Sequence, residues 1–207
     1  MLLKICGITW EEDAVCAMQN GADFIGVILV EISRRYVTTR QAKRIFTAAE
    51  PAKSVLVVRN MELAKLQAVI DAIHPYAVQL HGHETPEYAM RLKDVKIWKA
   101  FNLNALEDLQ EAVDFPADII VADSGGGTGQ PCDWSRAAEL VRQRPVFLAG
   151  GITPENVQEA IATVHPVGID VAGGVESVPG IKDHEKIKKL SMKMCKLCLA
   201  QKKEYLP

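Results

Sequence analysis

Short apolar runs rich in β-branched residues alternate along this chain with stretches whose apolar positions recur at helical spacing. The runs fall at 2–6, 24–30, 54–58, 77–80, 96–100, 118–122, 146–149 and 168–171. Between them the period changes. Over 41–50, Ala42, Ile45, Phe46 and Ala49 stand at i, i+3, i+4 and i+7, one face of a helix. Helix starts are signed as well. Thr9 with Glu12 and Thr38 with Gln41 have capping-box spacing, in which the hydroxyl and the acid or amide each take an orphan backbone N–H. Thr85-Pro86 and Thr153-Pro154 place a capping threonine before a proline, whose missing N–H costs nothing in a first turn.

Eight strand–helix units predict parallel strands, because each crossover helix returns the chain to the same edge of the sheet. Closing eight such strands gives an α/β fold of the (βα)8 TIM-barrel type, a single domain over residues 1–207. At 207 residues each unit has about 26, compact beside the roughly 250 residues of a typical barrel. An open doubly wound sheet is the competing architecture, but no dinucleotide fingerprint opens the first unit. Two strand-to-helix junctions echo each other, Cys6-Gly7-Ile8-Thr9 and Gly150-Gly151-Ile152-Thr153, as repeated units would.

Composition narrows the class of function. Hydrophobic residues make up 48% and charged residues 24%, the balance of a chain that can bury a sizeable core. The formal net charge of −2 argues against nucleic acid as the main partner. No apolar run has the roughly 18 residues of a membrane span, so no membrane partner is expected. The N-terminus has neither a basic region nor a long apolar one, and five cysteines cannot all pair. The expectation is a cytoplasmic protein with reduced thiols.

Eight of the 14 glycines sit at 125–127 with 129, at 150–151 and at 173–174, after the sixth, seventh and eighth runs. Glycine lets a loop turn tightly and brings backbone N–H groups close to a ligand, and a helix starting just beyond would add its positive dipole end. The loops after strands seven and eight are the usual phosphate position of a barrel. Neither the Walker A spacing nor G-x-G-x-x-G fits 125–129. Barrel chemistry belongs at strand ends, which offers Cys6, Arg34, Arg35, His81, Asp123 and Asp170. A thiol opposite a carboxyl is a possible acid/base pair. The plainer readings are a small buried hydrophobe for Cys6, a turn cap for Asp123 and a surface cation for Arg35. Cys195 and Cys198 have C-x-x-C spacing but no second ligand pair, and the histidines have no carboxylate fixed beside them, so no metal is expected.

Several segments together resemble the phosphoribosylanthranilate isomerases of tryptophan biosynthesis, over nearly the whole chain. They are Lys4-Ile5-Cys6-Gly7-Ile8-Thr9, Gly21-Ala22-Asp23, Val78-Gln79-Leu80-His81-Gly82 and Gly126-Gly127-Thr128-Gly129 leading to Asp133-Trp134. Leu148-Ala149-Gly150-Gly151-Ile152 with Pro154-Glu155-Asn156-Val157, and Asp170-Val171 leading to Gly174-Val175-Glu176 with Pro179-Gly180, complete the pattern. The resemblance implies an Amadori rearrangement of N-(5-phosphoribosyl)anthranilate, a small phosphorylated sugar–anthranilate substrate, without cofactor or metal, in a monomer or homodimer. It implies Cys6 as general base and Asp123 as general acid, with Arg35 on the anthranilate carboxylate. His81 is a further substrate contact, and the phosphate lies on backbone N–H groups around Gly150, Gly151, Gly173 and Gly174. Those roles call for a carboxyl with a raised pKa and a thiol with a lowered one. The chain departs from the family pattern at Ala172-Gly173, where two serines are common, at Gln130-Pro131-Cys132, and at Glu31-Ile32. Alternatives are a related isomerase of the histidine-pathway aminoaldose, a non-catalytic phosphate-binding barrel, and a thiol-redox or metal protein using Cys195 and Cys198.

Overall fold

The computed structural model describes residues 1–105, 109–125 and 132–204, with the side chains of the last helix described through residue 195. Gly126, Gly127, Thr128, Gly129, Gln130 and Pro131, and the side chain of Cys198, lie outside the described residues. The chain runs β1 (Leu2–Ile5), α1 (Glu11–Gln19), β2 (Phe24–Ile28), α2 (Thr39–Ala48), β3 (Lys53–Val58), α3 (Leu63–Ile73), β4 (Ala77–Leu80) and α4 (Pro86–Met90). It continues with β5 (Lys96–Asn102), α5 (Leu109–Asp114), β6 (Ile119–Asp123), α6 (Trp134–Val141), β7 (Val146–Leu148), α7 (Val157–Val164) and β8 (Gly168–Val171). A single 3-10 turn (Gly173–Val175), a short antiparallel hairpin of β9 (Glu176–Val178) and β10 (Ile181–Lys182), and α8 (His184–Glu204) complete it.

Among the described residues, β1 to β8 form a closed parallel barrel in sequence order. Closure is made by β1 on β8, with Leu2 opposite Gly168 and Ile5 opposite Val171. That pairing excludes the open sheet, in which the first and last strands would be edges. All eight expected runs become barrel strands; β4 and β8 match them residue for residue, and the others differ by one or two residues at one or both ends.

The strand period of two sorts the core into two layers. Leu3, Ile5, Ile25, Leu56, Val78, Leu80, Ile120 and Ile169 pack outward under the helices. Phe24, Val55, Ala77, Trp98, Val121 and Phe147 fill the barrel interior near its N-terminal end. There the rings of Phe24, Trp98 and Phe147 meet edge-on or tilted, with centroids 4.7 to 5.6 Å apart. Large rings need a small neighbour: a Cβ on Gly168 would overlap the Phe147 ring, so the eighth strand contributes no side chain at that level.

Two of the four helix starts form as their sequence signs imply. Thr38 and Gln41 make the full capping box, and Thr85 caps the turn begun by Pro86. The other two do not. The Thr9 hydroxyl donates instead to the Gly180 carbonyl of the hairpin turn, and Trp10 stands at the head of α1 without a side-chain cap. Thr153 accepts from the Glu155 amide, 3.1 Å, in a local turn, while its own amide donates to Asn156 Oδ1, 2.8 Å. This postpones α7 to Val157. In both cases a tertiary or turn partner outcompetes the helix for the same hydroxyl.

Candidate active site

The parity that points Phe24 and Val121 inward also directs Lys4 and Cys6, Gln79 and His81, Asp123, and Asp170 to the barrel axis, nearer its C-terminal mouth. Polar side chains within an apolar barrel must find partners, and these do. Lys4 is fully buried and donates to Gln79 Oε1 at 2.8 Å and to Asp170 Oδ2 at 2.7 Å. The other carboxylate oxygen of Asp170 is buried with no hydrogen-bond partner among the described residues. Cys6 lies one layer above, its amide bonded to the Val171 carbonyl at 2.8 Å. A Cβ on Gly26 would fall 2.8 Å from Cys6 Sγ and 3.0 Å from Lys4 Cε, so this glycine makes room for both side chains.

On the other side of the mouth, His81 Nε2 lies 3.2 Å from Asp123 Oδ2. The loop carrying His81 is braced from behind. Glu84 accepts the Asn60 amide at 2.7 Å and the Gly82 amide at 2.8 Å, and pairs with buried Lys99 at 3.0 Å. Arg35 projects between the loops after β1 and β8, and a Cβ on Gly7 would overlap its Cδ. Its guanidinium is held by Glu176, Nε to Oε1 and Nη2 to Oε2, both at 2.7 Å. Arg34, beside it in the loop between β2 and α2, is exposed.

The electrostatics of the two proton-carrying groups differ from the sequence-based expectation of a lowered thiol and a raised carboxyl. Burial pushes the Cys6 thiol up; the Lys4 ammonium pulls it back only in part, and Asp170 adds to the rise. Asp123 goes the other way. Its burial would raise it, but the hydrogen bond and charge of His81 and the Ser124 and Gly125 amides hold it below the usual carboxylate range. The opposite shifts favour a proton on the Cys6 sulfur over one on the Asp123 carboxyl. Cys132, a thiol close enough to feel Asp123, is pushed to about 12, chiefly by burial.

Three of the four glycines expected to cradle phosphate, Gly150, Gly151 and Gly174, are strained or confined in ways that favour glycine. Gly150 and Gly151 have φ of 79° and 64°, and a Cβ on Gly150 would fall 2.6 Å from Ser124 Oγ. A Cβ on Gly174 would overlap the Ile152 carbonyl, so the β7 and β8 loops touch backbone to backbone. The helix dipole anticipated there is displaced: α7 begins at Val157 and α8 at His184. Loop amides are what these loops offer an anion. Gly174→Ala is expected to push the two loops apart, lowering stability by about 1–3 kcal/mol through overpacking. It should raise KM for a phosphorylated ligand more than it lowers kcat, as denaturation and steady-state kinetics will show.

Sequence reasoning passed over Lys4, Gln79, Glu84, Lys99 and Lys182 as site residues. The signal was present for the first two, since each is a polar residue at an inward position of an otherwise apolar strand. Cys195 is exposed on α8, and no group of three metal-ligating side chains occurs among the described residues.

Comparison with known proteins identifies the family. A family profile described as N-(5'phosphoribosyl)anthranilate (PRA) isomerase matches residues 3–193. The N-(5'-phosphoribosyl)anthranilate isomerase of Citrifermentans bemidjiense is 37% identical over 203 residues, covering 95% of this chain and 98% of that one. The tryptophan biosynthesis protein TrpCF of Haemophilus influenzae is 40% identical over 199 residues, and the match spans 89% of this chain but 41% of that longer protein. The crystal structure of phosphoribosyl anthranilate isomerase from Thermus thermophilus superimposes with a TM-score of 0.89 at 35% identity, covering 95% of this chain and all of that one. A phosphoribosyl anthranilate isomerase crystallised with reduced 1-(o-carboxyphenylamino)-1-deoxyribulose 5-phosphate gives 0.86 at 34% identity, covering 95% of this chain and 100% of that one. With the profile spanning most of a closed barrel whose mouth gathers Cys6, Arg35, His81 and Asp123, this chain belongs to the N-(5'-phosphoribosyl)anthranilate isomerase family.

Proposed function

We propose that the protein is a phosphoribosylanthranilate isomerase of tryptophan biosynthesis. It converts N-(5-phosphoribosyl)anthranilate to 1-(2-carboxyphenylamino)-1-deoxyribulose 5-phosphate, in the cytoplasm, as a monomer or homodimer. The observation that carries this reading is the family match over residues 3–193 together with a thiol and a carboxyl at the ends of β1 and β6, facing one barrel mouth. The ligand in the related crystal structure is a reduced form of that product, which supports the same substrate class.

In this mechanism the reactive form of the pair has Asp123 protonated and Cys6 as thiolate. Asp123 gives its proton to the furanose ring oxygen. The C1′–O bond breaks, and the anilino nitrogen lone pair forms the C1′=N iminium. Cys6 then takes the proton from C2′; the C–H electrons become the C1′=C2′ bond of an enolamine, and the iminium electrons return to nitrogen. Tautomerisation places hydrogen on C1′ and leaves the ketone at C2′. The two transfers end with a thiol and a carboxylate, the same arrangement the unliganded site favours. The iminium cation lowers the cost of a thiolate when one is needed. Lys4, held by Gln79 and Asp170, supplies a permanent positive charge beneath the sulfur.

Arg35 binds the anthranilate carboxylate, His81 lies at the acid, and the amides around Gly150, Gly151, Gly173 and Gly174 receive the 5′-phosphate. The deciding experiment is a steady-state assay with freshly generated phosphoribosylanthranilate, following loss of its fluorescence. Turnover is expected. A folded protein that is inert on this substrate overturns the reading, and the histidine-pathway aminoaldose becomes the next substrate to try.

A further inference from the structure

The Arg35 guanidinium has five N–H donors arranged along two edges, one formed by Nε with one Nη and one by the two Nη groups. Glu176 occupies the first edge, through Nε and Nη2, and among the described residues it is the one group bonded to the guanidinium. Two donors on Nη1 and one on Nη2 are left, and one from each Nη forms an end-on edge suited to a second carboxylate. Gly173 leaves room beside the pair itself: a Cβ there would lie 3.3 Å from Nη2 and 3.8 Å from Glu176 Oε2, against the bond between them.

A simple Arg–Glu pair would be electrically neutral and a poor host for another anion. Here it is not neutral. Lys182, fully buried, donates to Glu176 Oε1 at 2.9 Å and to the Ala172 carbonyl at 3.0 Å. The Gly180 amide adds a fourth bond to the carboxylate, at 3.2 Å on Oε1. Two cations thus share one carboxylate; burial and the neighbouring Arg35 pull Lys182 below its ordinary range, the Glu176 carboxylate opposes that pull, and with Lys182 protonated the trio keeps one positive charge. Burial would push Glu176 up, yet Arg35 and Lys182 hold it below its ordinary range, so the carboxylate stays ionised.

We propose that Glu176 and Lys182 are positioning residues for recognition of the substrate carboxylate. Glu176 grips the side edge of Arg35 so that its end-on edge meets the incoming carboxylate, and Lys182 neutralises Glu176 so that the charge of Arg35 remains available. This rests on the assignment of Arg35 to the anthranilate carboxylate, and it adds a determinant of specificity behind that residue.

The test compares kcat/KM for phosphoribosylanthranilate with that for N-(5-phosphoribosyl)aniline, which lacks the carboxylate. The ratio cancels any effect on Cys6 or Asp123 common to both substrates. Wild type is expected to prefer the carboxylated substrate by about 10- to 100-fold, the worth of a hydrogen-bonded charge pair. In Glu176→Gln the amide N–H groups oppose those of Arg35, and in Lys182→Met the Glu176 charge cancels that of Arg35. Both variants should lose most of the preference while retaining turnover of the aniline compound. Arg35→Met should lose the preference altogether. A wild type without preference, or an Arg35→Met variant that keeps it, overturns the assignment of Arg35 and the inference with it. Loss in Arg35→Met but wild-type preference in Glu176→Gln and Lys182→Met overturns the inference alone. If Glu176→Gln does not fold, Glu176→Asp, which shortens the grip without removing its charge, must show a reduced preference in its place. An equal loss on both substrates would mark a purely structural role and also overturn it.

Discussion

Replacing Cys6 by alanine is expected to lower kcat by about 10³- to 10⁴-fold with KM little changed, because in the proposed mechanism the side chain acts as base in the transition state and contributes little to ground-state binding. Cys6→Ser, which keeps a proton-bearing atom but is a far weaker acid, should fall nearly as far. The pH dependence distinguishes this role from packing. Burial holds the thiol above its usual range while His81 holds Asp123 below its own. The reactive form and the resting form contain the same single proton, shared differently between sulfur and carboxyl. kcat/KM should therefore follow a broad bell. Its acid limb falls where Asp123 becomes protonated while Cys6 is still a thiol. Its alkaline limb falls where Cys6 ionises while Asp123 is already a carboxylate. Within the plateau the reactive form is a minority, by about tenfold for each pKa unit separating the groups. Alkylation of the Cys6 peptide by iodoacetamide, followed against pH by mass spectrometry, should place its ionisation above that of a free cysteine. An alkaline limb well below that ionisation would contradict the assignment of Cys6 as base.

Asp123→Asn is expected to cost about 10²- to 10⁴-fold in kcat, since an amide cannot protonate the furanose oxygen. The effect should fall on ring opening alone. A substrate analogue already in the open Schiff-base form would bypass the defect in Asp123→Asn but not in Cys6→Ala, and equal loss on that analogue would refute the division of labour. His81 offers a graded version of the same test. Its ring lies 3.2 Å from the Asp123 carboxylate and is the main influence lowering it against burial. His81→Gln should move the acid limb of the profile to higher pH, as Asp123 rises toward the value its burial dictates. An unmoved acid limb would mean that Asp123 does not set it.

The amino-acid sequence by itself determined the number and order of the barrel strands. The period of two in eight apolar runs and the period of 3.6 between them follow from local backbone geometry, and each unit is about the length of one strand–helix crossover. It also determined that Cys6, Arg35, His81 and Asp123 share one mouth, since parallel strands put all their C-terminal ends on the same face. The caps at Thr38 and Thr85 were legible for the same local reason. Tertiary structure decided what those residues meet. Glu176 grips Arg35 across 141 positions of sequence, and Lys4 reaches Asp170 across 166; only closure of the barrel creates either pairing. Thr9 looked like a cap until the β9–β10 hairpin claimed its hydroxyl. The opposite shifts of Cys6 and Asp123 were decided at the same level. A residue type states which groups can titrate, whereas the direction of each shift depends on burial and on charges that folding brings from distant strands, and here the thiol is raised and the carboxyl lowered.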